Sequence, residues 1–212
     1  MAQQQKRSRR FETLSDLMRY LTGGLTSRIG YRLGAWGVHP DLITLIGLVF
    51  VVVAAVFIAQ GEFLTGAIIL IVGMPLDALD GAVARAMNRQ DRFGALWDST
   101  LDRYADGFIF LALAYYFSGK GNQTAVALCV VAGTGTQLVS YVRARAEGLG
   151  LTCKVGLFTR MERVVVILIM LITGWVITGL WVLAIGTNFT VFERVLHVYR
   201  TMKKQQQGET TS

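Results

Sequence analysis

From Leu42 to Ala59 the chain carries no charged side chain, and this is the first of several such runs. A backbone inside hydrocarbon must satisfy its own N–H and C=O groups, so a run of this kind is compatible with little except an α-helix crossing a bilayer. The whole chain agrees: 17% of its residues are charged and its mean hydropathy is +0.47, whereas a soluble domain carries about 25% charged residues.

The second run begins at Phe63 and is apolar to Leu76; it is then interrupted by Asp77 and Asp80, but from there nothing breaks the helix before about Met87. At roughly 1.5 Å per residue it can cross the hydrocarbon and emerge beyond it. Further spans are expected at Ala95–Phe117, Thr124–Ala146, Arg163–Thr178 and Leu180–Val198, with a tight turn at Thr178 and Gly179. The expected fold is an all-α integral membrane protein with six transmembrane helices, occupying residues 37–200. Within residues 1–36, Lys6 to Arg10 belong to a basic arm, and Phe11, Leu14, Leu17, Met18, Leu21 and Leu25 recur every three or four residues. That spacing predicts an N-terminal amphipathic helix on the membrane surface. Residues 201–212 are polar and read as a disordered cytoplasmic tail.

The formal charge of +7 and pI near 9.7 do not form a stripe of the kind that binds nucleic acid. Lys and Arg fall before the first span, between spans two and three, between four and five, and after the last, whereas the alternate connections hold Glu62 and Lys120. By the positive-inside rule the chain is a multi-pass cell-membrane protein with both termini cytoplasmic. Cys129 and Cys153 offer neither a disulfide framework nor a zinc spacing. The basic start lacks the apolar core of a secretory signal.

Four carboxylates collect near the inner ends of the second and third spans. Asp77 and Asp80 are three residues apart and Asp98 and Asp102 four apart, so each pair shares a helical face. Four uncompensated charges at a bilayer edge are costly, and divalent cations offset them. An all-oxygen site suits two Mg²⁺ ions, with Mn²⁺ as the alternative, and such ions accompany phosphate chemistry. The competing explanation is pairing with Arg85, Arg89, Arg92 and Arg103. Asp106 extends the Asp98–Asp102 face by a turn and either supports the cluster or pairs with Arg103. Gly81 and Ala84 keep one side of the second helix low.

The pattern D-x2-D-G-x2-A-R-x8-G-x3-D-x3-D is complete here, at Asp77, Asp80, Gly81, Ala84, Arg85, Gly94, Asp98 and Asp102. In this the chain resembles the CDP-alcohol phosphatidyltransferase family. The resemblance implies a membrane enzyme, usually a homodimer, that moves a phosphatidyl group from CDP-diacylglycerol to an alcohol and releases CMP. It further implies that Asp77, Asp80, Asp98 and Asp102 surround metal, with Asp102 the general base for the acceptor hydroxyl. Asp77, Asp80, Gly81, Ala84 and Arg85 would then lie at the CDP group.

The link between spans four and five holds Arg143, Arg145, Lys154, Arg160 and Arg163, and Arg194 lies near the inner end of the last span. Arginine forks suit a phosphate, although topology alone also accounts for these charges. The run Ser140, Tyr141, Arg143, Ala144, Arg145, Ala146 and Glu147, then Arg160, Glu162 and Arg163, is similar to the bacterial phosphatidylinositol-phosphate synthase branch. That branch implies inositol phosphate as acceptor, with Arg143, Arg160 and Arg194 on its phosphate; lysine is expected where Arg143 stands. Glycerol-3-phosphate as acceptor, an ether-lipid donor, and a lipid-binding membrane protein without catalysis are the alternatives.

Overall fold

The structure is a computed structural model that describes residues 39–87 and 92–209, with residue 28 and residues 30–33 and 35–37; at 77, 78, 80, 208 and 209 it describes the backbone only. Most of the expected amphipathic helix, residues 11–27, lies outside the described residues. Where the chain enters the description it is helical, and a Cβ on Gly30 would come within 2.6 Å of Ala82 Cβ. This segment therefore lies directly against the helix that bears Gly81 and Ala84.

Among the described residues there follow the helices α1 Pro40–Gln60, α2 Phe63–Ala86, α3 Arg92–Gly119, α4 Gln123–Gly148, α5 Arg160–Thr173 and α6 Val176–Glu209. Proline at the first position of α1 lacks only an N–H that the helix would leave unpaired. Gly61, at φ +89°, closes α1 in the left-handed conformation, and the N–H groups of Gly61 and Glu62 return to Ile58 and Phe57 carbonyls. That closure makes the α1–α2 connection a tight hairpin. Asn122 caps α4 by accepting the Ala125 N–H at 3.0 Å.

Helix α1 packs on α2 and α3, α3 on α4, α4 on α6, and α5 on α6 and α2. Ile58, Leu113, Leu171, Leu180 and Leu183 are fully enclosed between them. Val49, Val53, Val56, Leu111 and Ile185 face outward. Helices apolar on both their packed and outward faces belong in a bilayer, and the chain is a multi-pass membrane protein.

The expectation of six spans is corrected by the helices themselves. Among the described residues four are long and apolar enough to cross: Pro40–Gln60, Phe63–Ala86, Gln123–Gly148 and Val176–Gln207. Helix α3 is long, but Arg92, Asp98, Asp102, Arg103 and Asp106 make its first half polar. Helix α5 has 14 residues, about 21 Å at ~1.5 Å per residue, against a hydrocarbon thickness of about 30 Å. The last turn also moves. Gly174, at φ +76°, ends α5, and Thr178 and Gly179 lie inside α6. Gly179 instead lets α6 approach α5, since a Cβ there would sit 2.5 Å from Met170 Cβ. At the other end α6 continues to Glu209 through the segment read as a disordered tail. Its Lys and Gln residues are good helix formers extending an already formed helix.

Candidate active site

The signature residues lie on the C-terminal half of α2 and the N-terminal half of α3, and α5 reaches α3 from its first turn through Arg160. Helix α2 carries Asp77, Asp80, Gly81, Ala84 and Arg85, and α3 carries Asp98, Asp102 and Asp106. The side chains of Asp77 and Asp80 lie outside the described residues. Among the described residues a Cβ on Gly81 would meet Arg85 Nη1, at 3.4 Å. Ala84 is half-buried and Arg85 exposed, so this strip of α2 presents low relief beside one guanidinium.

Asp98 is half-buried one turn before Asp102. The Asp102 side chain is 12% exposed, and both terminal nitrogens of Arg160 donate to its two carboxylate oxygens. Arg103 Nη2 stands 3.7 Å from the same carboxylate. Helix α5 is placed for this contact by its first turn, where Thr159 is the N-cap and its hydroxyl donates to Glu162. Ser/Thr at the cap with Glu three residues on is a helix-start signature, and the acid also suits the positive end of the helix dipole.

One turn along α3, Asp106 lies between Arg103 Nη2 at 3.8 Å and Arg163 Nη1 at 3.7 Å. Pairing with Arg103 and contact with a third helix both hold. Arg163 Nη1 also donates to the Thr136 carbonyl at 2.7 Å, and Gln137 Nε2 donates to the Arg103 carbonyl at 2.9 Å, fastening α4 to the cluster.

The three expected acceptor arginines differ in their surroundings. Arg160 is on Asp102. Arg194 is 3% exposed and donates from Nε to the Val155 carbonyl at 2.9 Å and from Nη1 to the Val139 carbonyl at 2.5 Å. It joins α6 to α4 and to the 149–159 connection. Arg143 is half-exposed and bonded to Glu147 at 2.9 Å, one turn along the surface of α4. Ala146 of α4 and Leu151 and Cys153 of the connection form a small apolar cluster, and burial pushes the Cys153 thiol up against the opposing pull of Arg194 and Arg143. Arg163 is the residue whose role the sequence reading missed. Its signal was present, because it follows Arg160 by three and so shares its face.

Carboxylates one turn apart on α3, with no sulfur or nitrogen donor between them, fit a hard divalent cation rather than zinc. Among the described residues no three His, Cys, Asp or Glu side chains converge on one ion; the Asp77 and Asp80 side chains are not among them.

An all-helical membrane bundle with signature acids on two helices, the last of them met by an arginine from a third, is the plan of an enzyme that handles phosphate esters at the bilayer surface. The chain belongs to the CDP-alcohol phosphatidyltransferase family, whose model matches residues 37–192. It is 38% identical over 179 residues to the phosphatidylinositol phosphate synthase of Streptomyces avermitilis, covering 77% of this chain and 73% of the relative. It is also 38% identical over 169 residues to the archaetidylinositol phosphate synthase of Methanothermobacter thermautotrophicus, covering 77% and 84%. Among solved structures it is similar to the Mycobacterium tuberculosis phosphatidylinositol phosphate synthase with CDP-DAG bound, at a TM-score of 0.78 and 29% identity over 82% of this chain and 93% of that one. The same protein in complex with manganese and citrate superposes with a TM-score of 0.75 at 28% identity, over 82% and 88% of the two chains.

Proposed function

We propose that this protein transfers the phosphatidyl group of CDP-diacylglycerol to inositol phosphate, forming phosphatidylinositol phosphate and releasing CMP. The observation that carries the reading is the meeting of Asp102, the last acid of the signature, with Arg160 from the first turn of α5. One group suits a hydroxyl and the other a phosphate, so the contact marks where a phosphorylated alcohol would present both.

In the reaction the acceptor hydroxyl attacks the β-phosphorus of the CDP-lipid, a new P–O bond forms, and the bond to the CMP oxygen breaks. Asp102 takes the hydroxyl proton during attack, which a weak nucleophile requires. Arg160 holds the acceptor phosphate. Its side chain is 41% exposed against 12% for Asp102, so an entering phosphate reaches the fork first and competes with the carboxylate for it. Phosphate capture would thus release Asp102 for its role as base. Arg143 and Arg194 border the same end, Arg194 shaping it through backbone carbonyls rather than through a free fork. Gly81, Ala84 and Arg85 offer the low strip on which the CDP group would lie. Divalent metal, Mg²⁺ with Mn²⁺ as the alternative, would be held by Asp77, Asp80, Asp98 and Asp102 and would supply charge neutralisation to the diphosphate and departing CMP.

Residues 37–200 are proposed as the catalytic domain, with residues 1–36 a basic arm and juxtamembrane helix. The clustering of Lys and Arg at the end of the bundle that bears the acids supports a cytoplasmic active site and cytoplasmic termini. Membrane lipids would contact the outward apolar faces, and family resemblance supports a homodimer.

The test is turnover by purified protein with CDP-diacylglycerol and a panel of inositol phosphate, free inositol, glycerol-3-phosphate and serine, read by product mass. Phosphatidylinositol phosphate with CMP release is expected, abolished by EDTA and restored by Mg²⁺. Product from glycerol-3-phosphate alone would overturn the acceptor, and no CMP release with any acceptor would overturn the transferase reading.

A further inference from the structure

One face of α6 changes character partway along its length. Val182, Ile185 and Phe189 recur at intervals of three and four and are all exposed. The same spacing continues through Glu193, Leu196, His197 and Arg200 to Lys204, so these residues share one side of the helix. From Val176 to His197 the helix rises about 31 Å at ~1.5 Å per residue, close to a hydrocarbon thickness of about 30 Å. The change from apolar to basic therefore falls at the level where hydrocarbon gives way to lipid phosphate.

At that level the face is concave. Val155 of the 149–159 connection stands beside Glu193, Leu196, His197 and Arg200, and the five line an open cleft of about 180 Å³. The wall formed by the connection is pinned to α6: the Val155 carbonyl accepts Arg194 Nε at 2.9 Å, and the Phe158 N–H donates to Thr190 Oγ1 at 3.0 Å. Glu193 is the acid of the lining, and its charge is felt by the adjacent Arg194 guanidinium. Lys154 next to Val155, and Lys203 and Lys204 beyond Arg200, are exposed and leave the rim with a positive surplus. The Arg160 fork is engaged by Asp102 and the Arg194 fork by two carbonyls, whereas Arg200 is exposed at the mouth of the cleft. A guanidinium beside an imidazole suits a phosphate, and basic groups at this depth attract anionic lipid.

We infer that this cleft binds the headgroup of an anionic phospholipid, with the phosphate on Arg200 and His197 and the acyl chains along Phe189, Ile185 and Val182. The site is separate from the one assigned to the acceptor phosphate, because its α6 residues lie on a different side of the helix from Arg194 and none belongs to the acidic signature. A bound headgroup touches both Val155 and α6, so it ties the connection to the helix a second time and should stabilise the folded protein.

The test is thermal unfolding of the full chain in an uncharged detergent, titrated in turn with short-chain phosphatidylglycerol, short-chain phosphatidylcholine, and glycerophosphoglycerol, the same anionic headgroup without acyl chains. Phosphatidylglycerol should raise the melting midpoint saturably, by roughly 5 °C or more at about a hundredfold excess over its dissociation constant. Arg200→Gln should weaken that response on the order of tenfold in lipid concentration, and His197→Gln should weaken it less. Arg145→Gln removes the same charge from an exposed position outside the cleft and should leave the response unchanged. The quantity compared is the lipid-induced shift of each variant from its own lipid-free midpoint, so a variant that is less stable at the outset still reports. An equal loss of response in Arg145→Gln, or an undiminished response in the Arg200→Gln, His197→Gln double variant, would overturn the inference. A phosphatidylcholine shift as large as that of phosphatidylglycerol would remove the anionic requirement and overturn it too. A glycerophosphoglycerol shift of equal size that Arg200→Gln abolishes would show a site for soluble phosphate esters and overturn the lipid assignment.

Discussion

Gly156 offers the sharpest test of how the basic connection is held. It sits at φ +128°, a conformation that L side chains rarely adopt, and a Cβ there would lie 2.5 Å from Thr190 Cγ2 and 3.2 Å from Arg194 Nε. Thr190 cannot easily withdraw, because it is β-branched and its hydroxyl accepts the Phe158 N–H at 3.0 Å while donating to the Gly186 carbonyl at 2.9 Å. Gly156→Ala therefore combines overpacking of about 1–3 kcal/mol with backbone strain of about 1–3 kcal/mol. For a chain of this size each kcal/mol moves the melting midpoint by roughly 2–4 °C, so a drop of at least about 4 °C is expected. Two other glycines separate the contributions. Gly121 has φ +70° with nothing among the described residues within 4 Å, so Gly121→Ala should show the backbone cost alone, about 1–2 kcal/mol. Gly148 is helical with nothing among the described residues within 4 Å, and its alanine variant should be neutral or stabilised by up to about 1 kcal/mol. The assay is thermal unfolding of the three variants in one detergent at one scan rate, because unfolding of such proteins is often irreversible. A Gly156→Ala protein no less stable than Gly121→Ala would refute the packing of the connection onto Thr190 and Arg194.

Other outcomes follow from the same geometry. Arg194→Gln cannot reach both the Val139 and Val155 carbonyls, and stranding either costs about 1–3 kcal/mol; a melting midpoint unchanged without substrate would refute the structural role. Cys153, its thiol pushed up by burial, should resist a thiol reagent at neutral pH in a Cys129→Ala background and react at once on denaturation; rapid labelling of the native protein would show that the connection does not cover it. Asp102→Asn should abolish CMP release while CDP-diacylglycerol still binds, and an active variant would remove Asp102 as base.

How far the sequence carried depends on the range of the forces involved. Helix positions were legible because apolar runs and charge breaks are local, and the α1–α2 turn at Gly61 and the α3–α4 turn at Asn122 fall where they were read. The number of spans was not, because hydropathy alone does not weigh a half-polar helix such as α3, or a short one such as α5, against the thickness of the membrane. The boundary between α5 and α6 moved to Gly174 for a similar reason: glycine marks several candidate turns, and packing decides which adopts positive φ. At Gly179 the missing Cβ serves helix contact with Met170 instead.

The sequence by itself determined the bilayer as solvent and the acidic signature, since composition and fixed spacing on a helix require no knowledge of neighbours. Asp98, Asp102 and Asp106 share a face simply because a helix turns every 3.6 residues. Only the tertiary structure decided what the arginines do. The arginines are equivalent as charges, but folding places Arg160 on Asp102, buries Arg163 against Asp106 and Thr136, and leaves Arg143 paired on the surface. Those roles depend on helix register and burial across 27 to 58 positions of sequence, and charge pattern along the chain does not encode them.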